Sequence, residues 1–175
     1  MPDGRAAPAV DAMVQLVSTS PEATRAFAAS LATVSEPGDL LCLWGELGAG
    51  KTVFAKGFGA GLGVHDTISS PSFVLMGEYA GRLPLFHIDL YRLATAQEVF
   101  DGGLLDDRQA TGVVLIEWPD RLGDALPQDR VDVRIDGGAA QSITLDVNGH
   151  ATLGATASSS VQVVDAFGNS GSDAP

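Results

Sequence analysis

An apolar segment, a glycine-rich loop and a predicted helix follow one another directly in the first third of the chain. The apolar segment, residues 40–44, has no polar alternation and predicts a strand buried on both faces of a parallel sheet. The loop, residues 45–52, reads GELGAGKT and matches the pattern G-x-x-x-x-G-K-[ST]. A helix is predicted from Thr52 to about Leu62. This order predicts an α/β fold with a mostly parallel central sheet, antiparallel hairpins and flanking helices.

The loop has the composition of a phosphate-binding P-loop. Glycines let successive backbone N–H groups curl around a phosphate, and the following helix adds the partial positive charge of its N-terminus. Lys51 is placed to reach the β- and γ-phosphates, and the Thr52 hydroxyl is placed to hold Mg²⁺. We therefore predict a P-loop NTPase fold. The predicted nucleotide contacts are Gly45, Glu46, Leu47, Gly48, Ala49, Gly50, Lys51, Thr52 and Val53.

Two acidic residues, each directly after an apolar segment, are candidates for holding the metal or its waters. A P-loop enzyme needs such a carboxylate at the end of a neighbouring strand. Glu117 follows the apolar residues 113–116, although Asp is commoner than Glu at this place, and Asp89 follows residues 85–88. The simpler alternative for each is a solvated carboxylate at a strand end. His87 is expected to be a packed histidine and not a ligand.

A hydroxyl-rich segment lies between the predicted P-loop helix and the first predicted hairpin. It includes Ser70, Pro71, Ser72 and Phe73. P-loop proteins place a nucleotide-sensing switch at this point of the chain. An ordinary Ser/Pro turn is the alternative, and the spacing alone does not separate the two interpretations.

The predicted elements fall within one domain, residues 11–150. A helix is predicted from the cap-like sequence around Pro21 to about Val34, and Cys42 is predicted to be core packing. Residues 1–10 are expected to be loose, and residues 151–175 are expected to form a mobile tail. The other predicted elements are hairpins of residues 73–79 with 83–90 and of 131–135 with 143–147, a strand at 113–116, and short helices at 95–100 and 119–126.

The composition excludes several classes of function. The 175 residues carry a net charge of −12 with a pI near 4.3, so the chain repels nucleic-acid backbones at a distance and unaided DNA or RNA binding is not its expected main activity. A single cysteine excludes an internal disulfide, and the three histidines show no zinc-ligand spacing. No apolar stretch follows residues 1–5, so we expect no signal peptide, and no apolar run reaches about 18 residues. We therefore expect a cytoplasmic protein with no membrane or DNA partner.

Four segments, in this order and spacing, resemble the bacterial TsaE family, also called YjeE: GELGAGKT, SSPSFVL, FHIDLYRL and VVLIEWPDRL. The resemblance spans about residues 19–147, and its DLYRL and EWP elements are more specific than the P-loop. Members of that family are small P-loop ATPases required for threonylcarbamoyladenosine modification of tRNA. The resemblance implies a weak Mg²⁺-dependent ATPase that acts with a TsaD–TsaB protein complex, is stimulated by these partners and meets tRNA indirectly.

The same resemblance implies roles for individual residues. Lys51 contacts phosphate, Thr52 and Glu117 hold Mg²⁺, and Asp89 assists hydrolysis near the metal. Lys51, Asp89 and Glu117 are therefore the expected catalytic residues, and the hydroxyl-rich segment is the expected switch. Pro21 is expected beside the adenine.

The chain departs from the family pattern at two places. Ser72 stands where the family usually has Thr, which keeps the hydroxyl. Members often carry a basic residue in the turn of the C-terminal hairpin that can reach the nucleotide, and residues 137–141 offer none here.

Two other functions compete with the tRNA-modification ATPase. A small-molecule P-loop kinase is the alternative from another class, but it needs an acceptor pocket and usually several arginines around the transferred phosphoryl group, and the arginines of this chain do not cluster in sequence. A nucleotide-sensing regulator without useful turnover differs from the ATPase only in rate. Arg92, in the DLYRL element, is the best internal candidate for an arginine that acts on phosphate.

Overall fold

The computed structural model describes residues 13–138 and 140–148, which form a mixed sheet with helices on both faces. The predicted loose segment 1–10 and the predicted tail 151–175 lie outside the described residues. Within residues 13–138 and 140–148, none of the helices has the length and apolar character of a membrane span. The strands are β1 (Met13–Ser18), β2 (Leu40–Trp44), β3 (Met76–Tyr79), β4 (Leu85–Asp89), β5 (Val113–Glu117), β6 (Arg130–Asp136) and β7 (Gln141–Asn148). The helices are α1 (Pro21–Thr33), α2 (Lys51–Gly61) and α3 (Ala96–Asp101), with 3-10 helices at Asp107–Thr111 and Pro119–Ala125.

The sheet has a parallel centre and antiparallel edges. Its strand order is β1-β7-β6-β2-β5-β4-β3. Strands β6, β2, β5 and β4 run parallel, whereas β1 with β7, β7 with β6, and β3 with β4 are antiparallel. The predicted α/β architecture is therefore confirmed. Because parallel strands end at the same edge of a sheet, the loop after β2 and the last residues of β4 and β5 come together there.

The central strands are buried as their apolar sequences predict. Every residue of β4 and β5 is buried, and so are the three middle residues of β2. Cys42 packs on one face of the sheet, while Leu41 and Leu43 pack on the other. Cys42 is fully buried in this core, which confirms the prediction of core packing, and burial, aided by the charge of Asp132, raises the pKa of its thiol to about 12.

Helices α1 and α2 cover one face of the sheet side by side. The Ser20 hydroxyl caps α1 by accepting a hydrogen bond from the backbone N–H of Ala23 at 3.1 Å, as the sequence around Pro21 predicts. A Cβ on Gly57 would lie only 2.4 Å from the backbone oxygen of Arg25. Glycine is unfavourable inside a helix, but at this position it lets the two helices approach closely.

The first predicted hairpin is shorter than expected, and its leading residues are a turn. The prediction of a strand from residue 73 is wrong, because β3 begins only at Met76. The backbone N–H of Val74 donates to the Pro71 oxygen at 3.0 Å, and Leu75 has a φ of +67°. These features close a turn that extended backbone cannot form.

The remaining differences are small. Strand β1 was not predicted, and it pairs with β7 at one edge of the sheet. The short helix predicted at residues 119–126 is a 3-10 helix interrupted at Gly123, which has non-helical backbone angles. The second hairpin is present as β6 and β7.

Candidate functional site

The loop predicted to bind phosphate connects the end of β2 to the start of α2. Gly50 precedes the helix with a φ of +108°, in the left-handed region that favours glycine. A Cβ on Gly45 would lie 2.5 Å from the backbone oxygen of Ile135, so close packing on β6 requires glycine there as well. No side chain caps the first turn of α2, which leaves its N–H groups available to an anion.

The residues predicted to contact the nucleotide differ in their solvent exposure along this loop. Glu46, Leu47 and Gly48 are exposed at its tip, whereas Ala49 is buried. Thr52 and Val53 are partly buried in the first turn of α2. The loop therefore presents an open tip above a firmly packed base.

The Lys51 side chain is folded back into the loop. Its Nζ donates to the backbone oxygens of Gly45 at 2.5 Å and Glu46 at 2.9 Å, and it lies 4.2 Å from the ring centre of Trp118. Burial lowers the pKa of Lys51, and the nearby carboxylates of Glu117 and Asp89 oppose that shift. The Lys51 ammonium group thus donates to two backbone carbonyls of the loop, and a bound phosphate would compete for these same N–H groups.

Glu117 ends β5 and faces the loop. Its Oε1 lies 3.5 Å from the Thr52 Oγ1 and 2.8 Å from the Nε2 of His87. Glu117 is only 3% exposed and His87 is fully buried, so the alternative of a solvated strand-end carboxylate is wrong. The packed position predicted for His87 is observed, but its hydrogen bond to the carboxylate was missed.

Asp89 ends β4 directly opposite Glu117 in the register of the two strands. It is buried as well, and its Oδ2 accepts hydrogen bonds from the hydroxyls of Ser70 at 2.8 Å and Ser72 at 2.6 Å. Its Oδ1 accepts the backbone N–H of Tyr91 at 2.9 Å. The segment predicted to be a switch is thus tied by two hydroxyls to a carboxylate predicted to assist hydrolysis.

The oxygen donors at this edge of the sheet fit a magnesium ion. Mg²⁺ prefers hard oxygen ligands, and it usually takes one or two from the protein and the rest from phosphates and water. The Thr52 hydroxyl and the Glu117 carboxylate supply such a pair within 3.5 Å of each other. These two residues are therefore the ones that could hold such an ion.

Aromatic side chains border the site. Trp118 follows Glu117 with a φ of +59°, which is uncommon for a residue with a large side chain, and its ring centre lies 5.0 Å from that of Tyr91. The Arg92 guanidinium lies 4.1 Å from the ring centre of Phe73 in the switch segment. Arg92 therefore contacts the switch.

Gln141, at the start of β7, contacts the base of the loop. Its Nε2 donates to the backbone oxygen of Ala49 at 2.7 Å, and its Oε1 accepts from the Thr24 hydroxyl at 3.0 Å. The hairpin turn without a basic residue therefore reaches the loop through a neutral amide, which the sequence did not indicate. Pro21 is exposed at the first position of α1, and Thr24 in the same turn links this helix to the loop.

A cavity of about 360 Å³ opens beside the first residues of the loop. Its lining includes the carboxylates of Glu46, Asp120 and Asp136 as well as Arg134. Three carboxylates repel phosphate, so this cavity is a poor place for a second phosphorylated group.

Comparison with known proteins identifies close relatives. The family model of TsaE, described as threonylcarbamoyl adenosine biosynthesis protein TsaE, matches residues 18–144. The tRNA threonylcarbamoyladenosine biosynthesis protein TsaE of Bacillus subtilis is 44% identical over 119 residues, which are 67% of this chain and 74% of that protein. The protein of the same name from Treponema pallidum is 39% identical over 122 residues, which are 70% of this chain and 90% of that protein.

A solved structure extends the likeness to the fold. The crystal structure of Bacillus subtilis YdiB matches with a TM-score of 0.65 and 37% sequence identity, over 81% of this chain and 89% of that one. At 37% sequence identity, the match supports a common ancestor as well as a shared fold. Taken with the family model, which covers the P-loop and both buried carboxylates, these matches show that the chain belongs to the TsaE family.

Proposed function

We propose that this protein is the ATP-binding and ATP-hydrolysing subunit of the machinery that makes threonylcarbamoyladenosine in tRNA. The observation that carries the proposal is the 3.5 Å approach of Thr52, in the P-loop helix, to the buried carboxylate of Glu117. That pair joins a phosphate-binding loop to a metal-holding acid, as nucleotide hydrolysis requires. The names of the Bacillus subtilis and Treponema pallidum relatives supply the pathway.

The residues at the site have distinct roles in this proposal. The loop N–H groups bind the phosphates, and Lys51 exchanges its two carbonyl partners for phosphate oxygens. Thr52 and Glu117 hold Mg²⁺, which supplies charge neutralisation between the phosphates when it is bound. Asp89 orients the groups near the terminal phosphate, and its two serine partners make its position depend on the switch.

Partner proteins complete the proposal. We propose slow turnover by the chain alone, stimulation by a TsaD–TsaB complex, and contact with tRNA through those partners in the cytoplasm. A net charge of −12 supports this division, because a strongly acidic chain binds RNA poorly without help. The relatives named above are tRNA-modification proteins and neither is named a kinase, so the kinase alternative has no support from them.

Thermal unfolding with and without nucleotide tests the proposal. A ligand that binds only the folded state, at about 100 times its dissociation constant, adds about 2.7 kcal/mol to the stability and raises the melting temperature. We expect Mg·ADP to raise the melting temperature of the native protein, and the substitution Lys51→Ala to remove most of that rise. Lys56→Ala is the matched control, because Lys56 is an exposed lysine of the same helix. An unchanged melting curve of the native protein in millimolar Mg·ADP and Mg·ATP would refute the proposal.

A further inference from the structure

A chain of hydrogen bonds links three elements to the base of the P-loop. The Ser18 hydroxyl at the end of β1 lies 2.7 Å from the Thr24 hydroxyl in the first turn of α1. Thr24 donates to the Gln141 Oε1 at 3.0 Å, and the Gln141 Nε2 donates to the backbone oxygen of Ala49 at 2.7 Å. Ser18 and Gln141 are also register partners in the pairing of β1 with β7. One amide therefore connects β1, α1 and β7 to the loop.

Burial makes this chain costly to break. Ser18 is 1% exposed and Thr24 is fully buried, so each hydroxyl depends on a partner within the protein. Gln141 is suited to the position because an amide accepts from Thr24 and donates to Ala49 at once. Removal of the amide would leave the carbonyl of Ala49, itself a buried residue, without this donor.

The amide also lies against the residue that turns the loop into α2. Its Nε2 is 3.0 Å from the position that a Cβ on Gly50 would occupy. Gly50 is in the left-handed region, and no side chain caps the helix that follows. The Gln141 amide therefore supports the turn from outside, at the residue just before Lys51 and Thr52.

We infer that Gln141 is a positioning residue for nucleotide binding, which holds the turn at Ala49 and Gly50 in its phosphate-binding shape through the chain from Ser18 and Thr24. The inference rests on the proposed nucleotide function. A loop that holds this shape only part of the time binds ligand more weakly in proportion, because only the correctly shaped fraction is competent. The neutral amide thereby makes the C-terminal hairpin contribute to nucleotide affinity without a basic side chain.

Isothermal titration calorimetry of ADP binding to variants of the full chain tests the inference. Gln141→Leu keeps a branched side chain of similar bulk but removes both hydrogen bonds, and we expect ADP to bind about tenfold more weakly. Thr24→Val removes the donor to Gln141 and should weaken binding in the same direction, whereas Thr24→Ser keeps a hydroxyl and should restore it. Ser142→Ala is the matched control, since it removes an exposed hydrogen bond with Gln15 on the same pair of strands.

The double variant separates a positioning role from general destabilisation. If Thr24 acts through Gln141, Thr24→Val should weaken ADP binding in the native background and add almost nothing in the Gln141→Leu background. ADP affinity within about twofold of the native value in Gln141→Leu would overturn the inference and leave the proposed function intact. Absence of ADP binding by the native protein would overturn both. If Gln141→Leu does not fold, the comparison of Thr24→Val with Thr24→Ser decides by the same criterion.

Discussion

At the scale of single residues, His87 does more than pack in the core, because it contacts the Glu117 carboxylate. It is fully buried on β4, and its Nε2 lies 2.8 Å from the Oε1 of Glu117. The other ring nitrogen, Nδ1, is buried and has no hydrogen-bond partner among the described residues. Among the described residues, the hydrogen bond with Glu117 is therefore the one polar interaction of the His87 ring.

We expect His87→Leu to lower the rate of Mg²⁺-dependent ATP hydrolysis strongly, and to change the affinity for ADP measured without Mg²⁺ much less. The substitution removes the closest polar contact of the buried Glu117 carboxylate, so its orientation beside Thr52 is less well fixed, and an effect of about tenfold on turnover corresponds to loss of one such hydrogen bond. His87→Gln keeps an N–H donor at a similar distance and should recover most of the activity. Steady-state rates and ADP titrations with and without Mg²⁺ check this, and equal rates for His87→Leu and the native protein would contradict it.

The sequence predicts single residues well where a local pattern defines them. Glu117 and Asp89 are predictable because each ends an apolar strand, and parallel strands bring such ends together. The contacts of His87 with Glu117 and of Gln141 with Ala49 are not predictable, since each joins residues far apart in sequence through side-chain geometry. Neither contact follows from a regular spacing of residues in the sequence.

At the scale of elements, the packing of α1 against α2 explains two glycines that helix propensity disfavours. A Cβ on Gly57 would lie 2.4 Å from the backbone oxygen of Arg25, and a Cβ on Gly61 would lie 2.4 Å from that of Ala29. Both pairs are four residues apart on their helices, so the two glycines lie on one face against one face of α1. Helix α2 follows the P-loop, so its close packing on α1 fixes where the loop ends.

We expect Gly57→Ala to destabilise the protein, although alanine is the better helix former by about 1 kcal/mol. The added Cβ meets backbone atoms of Arg25, which cannot move as a flexible side chain would, so the helices must separate. The free energy of unfolding in urea should fall by about 1 to 3 kcal/mol, the range for overpacked sites. Lys56→Ala, at an exposed position of the same helix, is the control and should change it little. A Gly57→Ala variant as stable as the native protein would contradict this account of α2.

Elements differ in how far the sequence predicts them. Strands β2, β4 and β5 are predictable because they are continuous apolar runs buried on both faces. The turn at residues 71–75 was predicted in part as strand, because its apolar residues Phe73 and Val74 look like strand residues and are in fact exposed. The hydrogen bonds from Ser70 and Ser72 to Asp89 hold this turn against the end of β4, and they depend on the folded sheet.

At the scale of the whole molecule, the switch segment presents apolar surface next to the nucleotide site. Phe73 is 84% exposed and Val74 is 72% exposed, while Ser70 and Ser72 of the same segment bind the Asp89 carboxylate. A partner that covers the two apolar side chains gains buried area and also limits the motion of the two serines. Such a partner would therefore couple its binding to the position of Asp89 through five consecutive residues, 70–74.

We expect ATP hydrolysis by the chain alone to be slow and to rise at least about tenfold when a TsaD–TsaB complex is added, because charge supplied in trans to a P-loop is worth far more than that. The Arg92 guanidinium lies 4.1 Å from the ring centre of Phe73, so a partner that covers Phe73 would also meet this arginine. Phosphate release by the chain, the complex and the mixture measures the effect, with Lys51→Ala in the mixture as the control for hydrolysis by the partners themselves. Association in sedimentation should require ATP. Equal rates with and without the complex, together with no co-sedimentation in ATP, would contradict the partner-dependent ATPase and favour the small-molecule kinase.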